Sequence, residues 1–222
     1  MDIQYRLISE KDLSEVVKVH KKVFPHYFLT SLGDFLLLNY YKEYLNEDPD
    51  LFYGAFSGEE LVGFSLGLMH DTSKAMTIFE QKFKKQLSRR LLLLCLRLDP
   101  KAISRCFKYL FLRKKQDKKI TNRGTYLVFG VLPSFRDKHI ASTITYFLFK
   151  AFSSRGVGVI YTATNTNNVH TNDFWKKKGA SFVTKEGGHN YYSIGVADYL
   201  NKYEEKHGQP SCADSIGKEK RQ

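Results

Sequence analysis

The chain has 222 residues, 35 Lys/Arg against 23 Asp/Glu for a net charge of +12, and three cysteines. That length holds one domain with a full core and a small appendage. Cys95, Cys106 and Cys212 are odd in number and lack metal-ligand spacing, which argues against a disulfide scaffold or a zinc module and for a reducing setting. No apolar run approaches the roughly eighteen residues that a membrane span needs.

Ile3 to Ile8 alternates as a half-buried strand. It follows Met1-Asp2 with no basic-then-apolar leader, so a cytoplasmic location is expected. Ser9, followed by acidic residues, predicts a helix N-cap. Leu13, Val16, Val17 and His20 to Phe24 then recur at helical spacing and stop near Pro25. Thr30 or Ser31 is the expected cap of a second helix carrying Leu32, Phe35, Leu36, Tyr40 and Leu45, broken at residues 46–50. Leu51–Phe56 and Leu61–Met69 flank Ser57-Gly58-Glu59-Glu60, a β-hairpin with a glycine turn.

From Lys74 to Lys119 there are fifteen Lys/Arg and three Asp/Glu, a surplus of twelve, so the rest of the chain is neutral. Ile78, Phe79, Phe83, Leu87, Leu91, Leu94 and Leu98 make one apolar stripe, with Lys82, Lys84, Lys85, Arg89 and Arg90 on the other side. A second helical stretch follows Pro100 through Ile103, Phe107, Leu110 and Phe111. Residues 74–119 are therefore expected to be a basic helical hairpin inserted between the third and fourth strands.

Residues 129–141, Phe-Gly-Val-Leu-Pro-Ser-Phe-Arg-Asp-Lys-His-Ile-Ala, carry the strongest signal. A β-prone run from Thr125 to Val131 meets Pro133, then a basic turn, then a helix marked by Ile140, Ile144, Phe147, Leu148 and Ala151. That order aims the free N–H groups of a helix start, backed by Arg136 and Lys138, at an anion beyond the strand end. Val157–Ala163 reads as a buried strand and Asn168–Lys178 as a short helix. Ser181–Lys185 and Tyr191–Val196 form a hairpin across Glu-Gly-Gly-His-Asn. From Glu204 onward the chain is polar and aperiodic, and is expected to be mobile.

Two of these segments resemble the motifs of the GNAT superfamily of N-acetyltransferases. The first resembles a strand end of hydrophobic-x-Val-x-Pro followed by Arg/Gln-x-x-Gly-x-Gly/Ala. Val131, Pro133, Arg136, Ile140 and Ala141 fall in register, and His139 stands at the central glycine. The second is similar to Asn-x-x-Ala-x-x-Phe-Tyr-x-Lys-x-Gly-Phe. Asn168, Phe174, Lys177 and Gly179 match, while Thr171, Trp175 and Ala180 replace Ala, Tyr and Phe. The βααββ opening extends the likeness.

The resemblance implies a single GNAT-like α/β domain over residues 1–203, with the insertion at 74–119 and a mobile tail at 204–222. Its mixed, twisted sheet would splay between the fourth and fifth strands, with helices on both faces. It also implies acetyl-coenzyme A as co-substrate, no metal, and direct transfer of an acetyl group to a primary amine. The implied coenzyme-binding residues are Phe129, Gly130, Val131, Arg136, Asp137, Lys138, His139, Ile140, Ala141, Ser142, Asn168 and Trp175. A helical backbone at His139 would keep its amide donor and turn its Cβ away.

Many relatives carry, at the position of Trp175, a tyrosine that protonates the leaving thiolate. An indole N–H cannot, which leaves water, Tyr161, Tyr191 or Tyr192 for that role. No glutamate lies in Tyr126–Val131 to act as general base, so His26, His70, His170, His189 or a chain of waters are the candidates. Cys95 and Cys106 in the insertion and Cys212 in the tail leave no well-placed nucleophile. The acceptor reads as a small-molecule amine, an amino sugar or nucleotide-linked amino sugar among them, with a protein amine as the next reading. A non-catalytic basic module on a degenerate GNAT fold, docking on membrane or nucleic acid, is the alternative of a different class. An anionic membrane surface met through 74–119 and a homodimer stay open as partners; nucleic acid is disfavoured.

Overall fold

The computed structural model describes residues 2–69, 74–96, 123–136 and 138–212. Residues 9–49 and 74–96 form one compact unit; 2–8, 50–69 and the described residues from 123 onward form the other. No described helix is long and apolar enough to cross a membrane.

The helical unit holds α1 (Leu13–Val23), α2 (Phe28–Ser31), α3 (Asp34–Glu47), α4 (Lys74–Lys82) and α5 (Lys84–Leu96). Ser9 caps the entry as expected: the Asp12 carboxylate accepts from the Ser9 amide at 2.9 Å and its hydroxyl at 2.5 Å. The long second helix starts later than expected. Thr30 and Ser31 belong to α2, where their hydroxyls donate to the carbonyls of Phe24 and Phe28. Gly33, at φ 91°, is the N-cap of α3. Phe35, expected on the apolar face of that helix, is 59 % exposed.

Helices α4 and α5 carry the described part of the basic segment; residues 97–122, with Leu98 and the expected second helical stretch, lie outside the described residues. Of the apolar stripe, Phe79, Leu87 and Leu94 are buried, while Ile78 and the neighbouring Leu92, Leu93 and Leu96 are exposed. Two acids of α3 hold α4. Glu47 accepts from the amides of Lys74 and Ala75 at 3.1 and 2.8 Å, capping a helix start from across the unit. The buried Glu43 receives Lys82 at 2.9 Å. The Arg90 guanidinium donates to the Ser31 carbonyl at 2.9 Å, fastening α5 as well.

The unit's one buried imidazole, His20, sits 2.7 Å from the Tyr41 hydroxyl and its Nε2 has no partner among the described residues. Burial pushes its pKa down to about 4, from an ordinary 6.5. The unfolded chain therefore takes up this proton first. Stability should fall as pH drops from about 6.5 to about 4, with a ceiling of roughly 3 kcal/mol from this group. Denaturant titrations across that range should show the slope, and His20→Gln should flatten it; an unchanged slope contradicts the neutral imidazole.

In the second unit a seven-stranded sheet runs in the order β1-β2-β3-β4-β5-β7-β6. The strands are β1 (Gln4–Leu7), β2 (Phe52–Ser57), β3 (Glu60–Leu68), β4 (Arg123–Val131), β5 (Val159–Asn165), β6 (Ser181–Glu186) and β7 (His189–Gly195). Only β4 and β5 are parallel; every other neighbouring pair is antiparallel. The β6–β7 turn is tighter than expected: Gly187 and Gly188, both at positive φ, make the corner alone.

Three helices accompany the sheet: α6 (Ile140–Ser153), α7 (Val169–Lys177) and α8 (Val196–His207). α8 replaces part of the expected mobile tail. The chain stays helical past residue 203 because Tyr199 donates to the Ser142 carbonyl at 2.9 Å, Tyr203 meets the Thr143 hydroxyl at 2.8 Å, and Tyr146 donates to Glu204 at 2.5 Å. Residues 213–222 lie outside the described residues.

Helix α6 packs on β2, β3 and β4. Its fully buried Phe152 seats between two glycines on adjacent strands, since a Cβ on Gly67 or Gly124 would come within 2.6 Å of that ring. The glycines thus set how closely α6 approaches the sheet. Gly124→Ala should lower stability by about 1–3 kcal/mol through overpacking, read as a lower denaturant midpoint at unchanged slope. No change in midpoint would show that the ring yields freely.

Candidate functional site

The central irregularity of the sheet lies on β4. Four of its residues, Arg123 to Tyr126, pair in parallel with Val159 to Thr162 of β5. Beyond them β4 keeps pairing with β3 up to Val131, while β5 keeps pairing with β7 up to Asn165. The two strands therefore part company after Tyr126 and Thr162. The separation coincides with a bulge: Leu66 opposes Val128 and Gly67 opposes Tyr126, so Leu127 is the extra residue. Leu127, Val128 and Phe129 are only half-buried although β4 is the fourth of seven strands. Alternate N–H and C=O groups of Val128 to Val131 have no strand partner on the β5 side. A linear ligand with amide groups fits such an edge.

Helix α7 spans the divergence with rings where hydrogen bonds stop. Trp175 lies 5.1 Å from Tyr126 and 5.5 Å from Phe129, and Phe174 lies 5.3 Å from Phe129. Trp175 is fully buried and its Nε1 has no partner among the described residues, an orphan donor beside the gap. Asn168 is the N-cap of α7, its Oδ1 accepting from Thr171 N at 3.1 Å. Gly179 ends the helical segment at φ 83°, letting Ala180 N reach back to the Trp175 carbonyl at 3.0 Å.

The corner between β5 and α7 is tied by a residue that sequence reasoning missed. The Asn172 amide nitrogen donates to the carbonyls of Asn165 (2.9 Å) and Asn168 (2.7 Å). Its Oδ1 accepts from Asn190 at 2.8 Å and from the Tyr192 hydroxyl at 2.9 Å. One buried side chain thus joins a strand end, a helix start and the neighbouring strand. Nothing in its sequence spacing announces those partners.

At the far end of β4, Pro133–Phe135 makes one 3-10 turn anchored by the buried Phe135 ring. Lys138 lies 5.0 Å over that ring, and Arg136 is exposed in extended backbone. His139 then departs from the expected helical geometry. At φ 57° and ψ 4° it is the one described non-glycine residue at positive φ. Left-handed backbone costs such a residue on the order of 1 kcal/mol, which explains why the resembled pattern has glycine there. The imidazole does not cap α6. Among the described residues no group accepts from the amides of Ile140, Ala141 and Ser142, which stand at a helix start near Arg136 and Lys138 in the chain. An anion fits here, and a phosphate in particular. Asp137 lies outside the described residues.

The sheet unit brings Arg136 and Lys138 to Ser142 together at one helix start, and Phe129, Asn168 and Trp175 along the divergence. The catalytic candidates scatter. Tyr192 is buried and its hydroxyl is committed to Asn172. Tyr191 is exposed on β7. Tyr161 sits beneath the Arg123 guanidinium at 5.4 Å. The His189 ring meets the Gly187 carbonyl, and His170 is exposed on α7. His26 lies in the turn between α1 and α2 of the helical unit, and His70 lies outside the described residues. Among the described residues no group of His, Cys, Asp and Glu is built to hold a metal ion.

Residues 14–180 match the model of the acetyltransferase (GNAT) family, so the chain belongs to that family. No curated protein matches it by sequence. Solved structures share the fold at low identity. An N-acetyltransferase from Thermoplasma acidophilum in complex with coenzyme A is 16 % identical with a TM-score of 0.55, covering 88 % of this chain and 99 % of that one. An N-acetyltransferase from Staphylococcus aureus is 9 % identical with a TM-score of 0.58, again covering 88 % and 99 %. Naa50 from Arabidopsis thaliana, bound to a CoA-Ac-MVNAL bisubstrate analogue, is 16 % identical with a TM-score of 0.53, at 88 % and 99 %. The expected mixed α/β sheet and the expected family both hold.

Because the Trp175 indole is buried and not an acid, Trp175→Phe should alter turnover through packing alone. Both limbs of the pH–rate profile should stay in place. Loss of a limb would assign the indole position a role in proton transfer.

Proposed function

We propose that the chain transfers an acetyl group from acetyl-coenzyme A directly to the primary amine of a small anionic acceptor, a nucleotide-linked amino sugar being the class we favour, and that it does so in the cytoplasm. Family membership fixes the enzyme class, an N-acetyltransferase with acetyl-coenzyme A as co-substrate. The observation that carries the assignment to these residues is the unpaired edge of β4 running toward an uncapped helix start. The pantetheine arm would lie along Val128 to Val131 and the pyrophosphate at Ile140 to Ser142, with Arg136 and Lys138 beside it. The acceptor class rests on charge: the basic segment supplies a surplus of twelve while the remainder is neutral.

In the reaction the neutral amine attacks the thioester carbonyl, the C–N bond forms, the C–S bond breaks to release the thiolate, and the amine's proton passes to a chain of waters. An N–H on the free β4 edge would stabilise the negative charge that grows on the carbonyl oxygen. The thiolate must regain a proton. Trp175 cannot give one, and the Tyr192 hydroxyl is bonded to Asn172, which leaves Tyr161, the exposed Tyr191 or water for that step.

Arg136→Glu reverses charge beside the proposed pyrophosphate and should weaken coenzyme A binding about tenfold or more by calorimetry. Unchanged affinity would sink the assignment of the turn. A panel of amines screened for coenzyme A release tests the acceptor, and turnover of neutral amines alone would rule out an anionic class.

A further inference from the structure

The histidine in the phosphate turn is not isolated. The His139 ring lies 5.0 Å from that of His207, in the last turn of α8, and His207 lies 4.9 Å from Tyr203 on the same helix. Both imidazoles are exposed and thus open to proton exchange. Among the described residues, the charges that act on His207 are Lys206 on its own helix, Lys178 just past α7 and His139, with the Tyr203 ring packed beside it. A proton on His207 meets the positive charge of Lys206 and Lys178 until an anion arrives. At a glycine-like backbone position, a side chain that packs at a tilt against a second histidine is an unusual occupant.

We propose that His139 and His207 form a proton-linked pair, so that phosphate binding at this turn is accompanied by uptake of a proton. This rests on the assignment of the coenzyme to the turn, and adds to it a dependence on pH near neutrality. In the free protein a slight loss of hydration at this exposed ring, then repulsion from His139, Lys206 and Lys178, holds the His207 imidazole below its ordinary range. A bound phosphate replaces that repulsion with attraction and favours the protonated pair. The sign follows: affinity rises as pH falls toward about 6, and one linked proton limits the change to tenfold per pH unit. A glycine in the turn would bind phosphate with no such dependence.

The test is calorimetric titration with dephospho-coenzyme A, whose pyrophosphate stays ionised throughout, at several pH values from about 6 to 8 and in two buffers of different ionisation enthalpy. The wild-type chain should bind several-fold more tightly at the lower end, with buffer-dependent heats that report proton uptake. His207→Gln should retain binding at the upper end and lose most of the pH dependence. In His139→Gly, which keeps the left-handed backbone, the buffer-dependent part of the binding heat should shrink whatever the affinity. Binding without proton uptake, or uptake that survives both substitutions, overturns the pair while leaving the coenzyme assignment intact. Failure to bind at any pH overturns both.

Discussion

A central strand that abandons its neighbour leaves backbone donors and acceptors in the middle of a sheet, and the rest of this site is arranged around that exposure. Buried amides and carbonyls must find partners. β4 pairs on one edge with β3 from Thr125 to Val131, but on the other with β5 only from Arg123 to Tyr126. The bulge at Leu127 turns the strand at the point where pairing ends. On the opposite wall, Asn172 ties the end of β5 to α7 and β7, so the divergence is braced on the side that would otherwise collapse. Trp175 and Phe174 fill the volume behind it with rings. Without a ligand the free edge is a cost; with an amide-bearing arm along it, the same edge is a binding surface.

The second feature is a helix start without a cap. Many helices satisfy a first amide with Ser, Thr, Asp or Asn, as Asn168 does before α7, while α4 uses the Glu47 carboxylate from across its unit. At α6 a left-handed histidine stands in the cap position and contributes no such bond. The omission occurs at the helix that continues from the divergent strand. Behind it, α6 is held in place by Phe152 between two glycines and by the tyrosines of α8. The donors are therefore presented by a rigid element.

Much of this was legible in the sequence. The strand–proline–basic turn–helix order pointed to the turn at 136–141 as an anion site, and two motifs in register pointed to the family. The left-handed backbone at residue 139 was available too, since the resembled pattern places glycine there and glycine implies positive φ. α8 announced itself less loudly, yet Val196, Tyr199, Leu200 and Tyr203 fall at i, i+3, i+4 and i+7. Other features had no one-dimensional signature. Asn172 reaches partners between residues 165 and 192, and Glu43 and Glu47 meet Lys82 and Lys74–Ala75 only once the helices pack. Such partners are set by tertiary geometry, which periodicity does not encode. Phe35 and Ile78 were misplaced for a related reason: a helical stripe gives a face, but helix starts and breaks decide which residue of that face turns inward.

Amide hydrogen exchange with and without saturating coenzyme A tests the central claim most directly, because it reads the free edge itself. The outward-facing amides among Val128 to Val131 and those of Ile140 to Ser142 should exchange markedly more slowly in the complex, while β6 and β7 stay as they were. Coenzyme binding that leaves exchange at both stretches unchanged would contradict the claim that the divergent strand and the uncapped helix form the site.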